Sequence, residues 1–140
     1  MTRDMTNSFE LQQFLDRVAA DFVKRLNLRV TSVAPGEVAM LMPVAETLVH
    51  GGGVLCGQAM LAAADTAMLL ALVAQMGEFK PVTTVQLQTS FLRPVPRGTA
   101  HVTVTGRVLR HGKTLSYGEV DITTPDGKLA AHATTTYALL

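Results

Sequence analysis

Apolar residues recur along this chain with two different periods, and the change of period divides it into elements. Leu11, Phe14, Leu15, Val18, Phe22 and Leu26 fall three or four residues apart, the spacing of one helix face. Asn7, with Glu10 three residues on, reads as a capping-box-like start, so an amphipathic helix is predicted from there through about Leu26. Leu28 to Val33 and Glu37 to Pro43 read as two strands joined across the turn signal Ala34-Pro35-Gly36. A polar, glycine-dense loop follows, His50-Gly51-Gly52-Gly53. From Gly57 the chain is apolar on every side to a stop near Gly77, the pattern of a helix buried all round.

The second half has a period of two. Val82 to Leu92, His101 to Leu109, Thr114 to Thr123 and Leu129 to Leu139 are rich in Val, Thr and Tyr. Pro94-Val95-Pro96-Arg97-Gly98, His111-Gly112-Lys113 and Pro125-Asp126-Gly127 separate them. Consecutive strands with short turns predict an antiparallel meander. The expected architecture is α+β: one long buried helix wrapped by a twisted antiparallel sheet, the hotdog fold, with an additional N-terminal helix. Residues 1–140 then form a single domain, of which 1–27 are a helical extension. There are no internal repeats, linkers or low-complexity tracts.

Composition narrows the setting. The 140 residues are 48% hydrophobic, 5% aromatic and only 16% charged, with no Trp. So low a charge content predicts that apolar surface goes into a subunit interface as well as a core. Twelve basic and eleven acidic residues leave a net charge of +1, which gives no field for nucleic acid or a membrane surface. A single cysteine, Cys56, makes no intrachain disulfide and fits a reducing cytoplasm. Met1 to Asn7 is polar and lacks the apolar stretch of a signal peptide. Ala59 to Val73 approaches the length of a membrane span, but Asp65 and Thr66 interrupt it and no Lys or Arg flanks it closely.

Asp65 is the first candidate for chemistry. It stands in mid-helix with Ala59 to Ala64 before it and Ala67 to Ala74 after it, where a buried carboxylate costs several kcal/mol or changes its pKa. No His, Cys and Asp cluster has metal-ligand spacing, and Cys56 reads as a small apolar residue rather than a nucleophile.

From Gly57 to Asp65-Thr66-Ala67 the sequence resembles the hotdog acyl-CoA thioesterases of the phenylacetic-acid-degradation type. So do Thr83-Thr84-Val85-Gln86-Leu87, Ser90-Phe91-Leu92-Arg93-Pro94 and the closing Asp126-Gly127-Lys128-Leu129-Ala130. The resemblance covers roughly Leu28 to Tyr137. In that family a Gly opens the helix and an acidic residue lies eight positions later, as Gly57 and Asp65 do. Members commonly carry His-Gly-Gly at the helix start, where this chain has Cys56-Gly57-Gln58. His50, seven residues before Gly57, then takes the place of a family Asn or Gln; if the loop carries an insertion, it is the family His.

The resemblance implies hydrolysis of a coenzyme A thioester with no cofactor, the coenzyme being part of the substrate. Gly57 would offer its backbone N–H, at the positive end of the helix dipole, to the carbonyl oxygen. Asp65 would act as general base on water or as nucleophile through an anhydride. His50 would hydrogen-bond the water or the departing thiolate, and Thr84, or in second place Thr83, would orient the carboxylate. Gln58 and Thr83 join the substrate-binding candidates. For the phosphates of the coenzyme the basic candidates are Arg93 and Arg97 on the proline-rich turn and Arg107, Arg110, His111 and Lys113 around the hairpin. Met60, Leu61, Met68 and Phe91 are expected to line an acyl tunnel for a medium-chain or aryl-acetyl group.

Eight residues of helix separate Gly57 from Asp65 by about 12 Å, too far for one carbonyl to meet both. A two-fold dimer removes the difficulty if Gly57 and His50 of one subunit meet Asp65 and Thr84 of the other. Such dimers are expected to pair further. Two other readings stand beside this one: a hotdog acyl dehydratase or hydratase, against which Gln58 occupies the position of the catalytic Glu, and a non-catalytic acyl-CoA-binding regulatory protein.

Overall fold

The computed structural model describes residues 5–140, so the polar terminus read above lies partly outside the described residues. Helix α1 (Ser8–Val18) and the short α2 (Asp21–Lys24) precede strands β1 (Arg29–Ala34) and β2 (Glu37–Pro43). A 3-10 turn (Glu46–Leu48) leads into the glycine loop and α3 (Gly57–Met76). Strands β3 (Val82–Phe91), β4 (His101–His111), β5 (Leu115–Thr123) and β6 (Leu129–Leu139) complete the chain.

All six strands form one antiparallel sheet in the order β1-β2-β4-β5-β6-β3, and α3 packs against every one of them. The α+β hotdog architecture with its N-terminal helix is therefore present. The helix meets the sheet very closely at two glycines. A Cβ on Gly106 would lie 2.8 Å from the carbonyl oxygen of Ala67, and one on Gly118 would strike the Met68 sulfur. Ala63, Ala64, Ala67 and Ala71 give α3 the slim surface this approach needs. Although α3 is long and apolar enough for a membrane span, most of its surface is buried in the fold. Gly77, at φ 76° in the left-handed region, ends it.

Two expectations change. The predicted helix through Leu26 breaks at Ala19 and Ala20, both extended, so α1 ends at Val18. Neither alanine disfavours helix, so the break comes from packing: Leu11, Phe14 and Leu15 are buried on one side of it and Leu26 and Leu28 on the other. Phe22, counted in the helical stripe, points to solvent. The predicted four-strand meander holds for β4-β5-β6 only. β3 pairs with β6 at the far edge instead of with β4. The proline-rich connection after β3 is too long for a hairpin and crosses the start of α3, where Leu55 donates to the Val95 carbonyl at 2.8 Å.

Helix α1 is tied to the opposite edge. Asn7 caps it by accepting from the Glu10 amide at 2.8 Å. The Gln12 side chain donates to the Leu28 carbonyl at 3.1 Å and accepts from the Val30 amide at 2.7 Å, pairing with the free edge of β1 as a strand would. Phe14 also meets Phe79, just beyond α3, with ring centroids 5.2 Å apart.

Candidate active site

Asp65 lies on the one stripe of α3 that the sheet leaves uncovered, so it is half-buried and not sealed among alanines as its neighbours suggested. Its carboxylate is gripped from the sheet. Thr84 on β3 donates to Oδ1 at 2.9 Å, and the Tyr137 hydroxyl on β6 donates to the same oxygen at 2.5 Å. The Tyr137 oxygen also lies 2.9 Å from the Asp65 carbonyl. Oδ2 makes no hydrogen bond among the described residues, which leaves it able to take a proton or attack a carbon.

Strand pairing explains why these three meet. Thr84 and Tyr137 are direct cross-strand partners, so their side chains share the face toward α3. Immediately after Thr84 the register shifts, leaving Val85 as the extra residue of a bulge. Thr83, one position earlier, points to the other face by alternation and makes no hydrogen bond to Asp65. Tyr137 is 4% exposed, and burial, then its hydrogen bond to Asp65, pushes its pKa far above the ordinary 10. It therefore stays a neutral donor throughout the working pH range. The sequence reading missed it, yet a signal was present: alternation through Ala131, Ala133 and Thr135 turns Tyr137 inward, and an inward phenol needs a partner.

The second cluster forms at the start of α3. No side chain caps this helix, so its first amides are open to a ligand at the positive dipole end. Gly57 leaves room for one: a Cβ there would come 3.2 Å from the half-exposed Phe91 ring. His50 lies in the same cleft, of about 370 Å³, with Val54, Met60, Phe91 and Arg93. Its Nδ1 accepts from the Gly52 amide at 2.8 Å, which leaves the proton on Nε2 as a donor. Gln58 is exposed on the first turn of the helix.

The basic candidates separate into two groups. Arg93 lines both the Gly57 cleft and an adjoining one of about 460 Å³ that adds Thr124, Asp126 and Lys128, the last not singled out from sequence and 3.8 Å from the Asp126 carboxylate. His111 and Lys113 lie with Met76 at the other end of α3, and Arg110 adjoins them on β4. Within one protomer these three are not brought to His50 and Gly57. Two further candidates are engaged elsewhere: Arg97 pairs with Glu46 at 2.8 Å, and Arg107 with Glu37, Glu119 and Asp121 on the outer sheet face. Of the tunnel residues, Met60 and Phe91 line the Gly57 cleft, while Met68 is buried against the sheet at Gly118. No group of three or more metal-ligating side chains occurs among the described residues.

The fold and this pair of clusters define a class, and comparison with known proteins agrees. The thioesterase superfamily pattern matches residues 48–131, from the end of the 3-10 turn to the start of β6. The chain belongs to that superfamily and is a hydrolase acting on thioester bonds. A provisionally named esterase of Saccharolobus solfataricus is 32% identical over 87% of this chain and 85% of its own. A thioesterase structure from Haemophilus influenzae superposes with a TM-score of 0.85 at 25% identity, covering 100% of this chain and 95% of that one. A variant of a phenylacetic acid degradation protein from Thermus thermophilus gives a TM-score of 0.77 at 26% identity, over 86% of this chain and all of that one.

Proposed function

We propose that the protein hydrolyses an acyl-CoA thioester to the free acid and coenzyme A, at two sites each shared between the protomers of a dimer. The observation that carries this is the Asp65 carboxylate on the uncovered stripe of α3, with Oδ1 held by Thr84 and Tyr137 and Oδ2 without a hydrogen bond among the described residues. Hydrogen-bonded donors on one oxygen fix the aim of the other.

The stripe itself supports the dimer. Leu61, Ala62, Asp65 and Leu69 are left half-buried at helical spacing while the rest of mid-α3 is buried. Beside it runs the unpaired edge of β3, where Val85 is 59% and Phe91 50% exposed. A second copy laid antiparallel covers both and brings its own Gly57 toward Asp65.

In the general-base route Oδ2 takes a proton from water, whose oxygen attacks the thioester carbon. The oxyanion is held by the partner's Gly57 N–H, and its collapse expels the coenzyme thiolate, which takes the proton held on Oδ2 and so restores the carboxylate. In the nucleophilic route Oδ2 attacks directly, the thiolate leaves, and water cleaves the resulting anhydride. His50 Nε2–H is placed on the Gly57 side, where it hydrogen-bonds the carbonyl oxygen or the departing sulfur. Arg93 and Lys128 lie along continuous clefts leading away from Gly57 and suit the coenzyme phosphates. The quoted motifs and the Thermus relative support the phenylacetic-acid-degradation branch, and the lone Cys56 fits a cytoplasmic setting.

Release of free thiol from a panel of acyl-CoAs tests the reading. Asp65→Asn should lose about 10²- to 10⁴-fold in kcat, the usual worth of a positioned acid or base. A variant as fast as the parent would remove Asp65 from the chemistry. Turnover of enoyl- or 3-hydroxyacyl-CoA without thiol release would favour a dehydratase instead, although Gln58 carries an amide that cannot act as a general acid.

A further inference from the structure

The helical arm that precedes the sheet forms one side of a cleft that ends on Asp65. The cleft holds about 230 Å³ and is lined by Phe14, Val18 and Val23 from the arm and by Asp65, Leu69 and Tyr137 from the rest of the fold. It has no lining residue in common with the cleft at Gly57. Whole-ligand pockets start near about 300 Å³, so this one suits a fragment of a ligand. At about 30 Å³ for a unit the size of water, it holds on the order of seven to eight non-hydrogen atoms.

We propose that the N-terminal arm is the acyl-selecting wall of the active site, with Phe14, Val18 and Val23 choosing an uncharged acyl group of about one aromatic ring or a medium-length chain. This rests on the thioesterase reading of Asp65. A thioester carbon beside Oδ2 has its coenzyme half directed toward the Gly57 cleft of the other protomer, which leaves the arm side for the acyl half. Among the described residues, the only charged side chain lining the cleft is Asp65. A second carboxylate at the far end of the acyl group would meet apolar side chains and the like charge of Asp65. Arg17, the cation beside the wall, is stacked on the Phe14 ring 5.9 Å from its centroid and does not line the cleft. Thioesters of monoacids are therefore accepted and half-thioesters of diacids rejected.

The wall is held from outside the cleft. Gln12 fastens α1 to β1 through both ends of its amide, and Phe14 is braced by Phe79. The extended residues Ala19 and Ala20 let α1 and α2 present Val18 and Val23 to the same space. A continuous helix through Leu26, as the periodicity predicted, would not make this concave surface.

Val18 is 50% exposed, so filling the cleft there should not disturb the core. Val18→Trp should lower kcat/KM for octanoyl- and phenylacetyl-CoA at least tenfold more than it lowers that for acetyl-CoA. Val23→Ala should shift the preferred chain toward longer acyl groups. Hexanoyl-CoA should exceed adipyl-CoA, of equal length, by a hundredfold or more in kcat/KM. Calorimetry with octyl-CoA, a thioether that cannot be hydrolysed, reads the cleft without turnover: Val18→Trp should raise its Kd at least tenfold more than that of ethyl-CoA. An unchanged chain-length profile together with an unchanged octyl-CoA Kd would overturn the acyl wall and leave the thioesterase reading intact. Absence of thiol release from every thioester, with octyl-CoA still sensitive to Val18→Trp, would overturn the hydrolytic reading while retaining the cleft as the acyl site.

Discussion

Mixing two inactive variants gives the sharpest test of the shared site. Gly57→Pro removes the proposed oxyanion N–H without unmaking the helix. Gly57 is the first helical residue, where proline is well tolerated, and Cys56 before it already has the extended conformation (φ −71°, ψ 148°) that a pre-proline residue adopts. The half-exposed Phe91 ring can move to admit the new side chain. Asp65→Asn removes the base or nucleophile. Within one protomer the two positions are about 12 Å apart along the axis and about 80° apart around it. A carbonyl held by a hydrogen bond of about 3 Å and attacked from about 3–3.5 Å spans roughly 7–8 Å in all.

Each variant alone should therefore be inactive. Equal mixing by unfolding and refolding makes half of the dimers heterodimers, each with one intact site of two, so about one quarter of parental activity should return. Thiol release measures activity and native mass spectrometry counts heterodimers. Heterodimers that form but restore nothing would refute the shared site and require Gly57 and Asp65 to act within one chain or not at all.

Tyr137→Phe should cut kcat by roughly ten- to a hundredfold with the fold kept, because a charge-assisted hydrogen bond worth about 1.5–3 kcal/mol leaves Oδ1; parental kinetics would show that Thr84 alone aims the carboxylate. Gly106→Ala should destabilise by about 1–3 kcal/mol, read as a lower thermal midpoint, since the new Cβ meets the Ala67 backbone and no flexible side chain can yield. Burial acts to raise the Asp121 pKa, but hydrogen bonds with His132 and Arg107 outweigh it and hold the value below the ordinary 3.8. The ionised group thus stabilises the fold above that pH, and its contribution is lost as pH falls through the lower folded value. Asp121→Asn should be less stable than the parent at pH 7 and lose less stability on acidification below about pH 4; denaturant midpoints at both pH values check this.

Much of the fold was legible because its signals are local. The alternation of β6, the glycine stop at Gly77 and the long apolar run of α3 each specify an element within a few residues. The candidate Asp65 stood out for the same reason, a carboxylate where neighbours are alanine and leucine. Thr84 was reached only through the resemblance, and Tyr137 was not reached at all, because what joins them to Asp65 is a strand pairing across more than fifty residues of sequence.

By itself, then, the sequence determined the elements, the α+β architecture and the residue on which chemistry was expected, all of which follow from patterns of burial and turn geometry. Only the tertiary structure decided that β3 runs beside β6, that α1 stops at Val18 and that Asp65 faces out along an uncovered stripe. Those outcomes are set by which apolar faces cover one another. That competition among distant segments leaves no mark within any one of them.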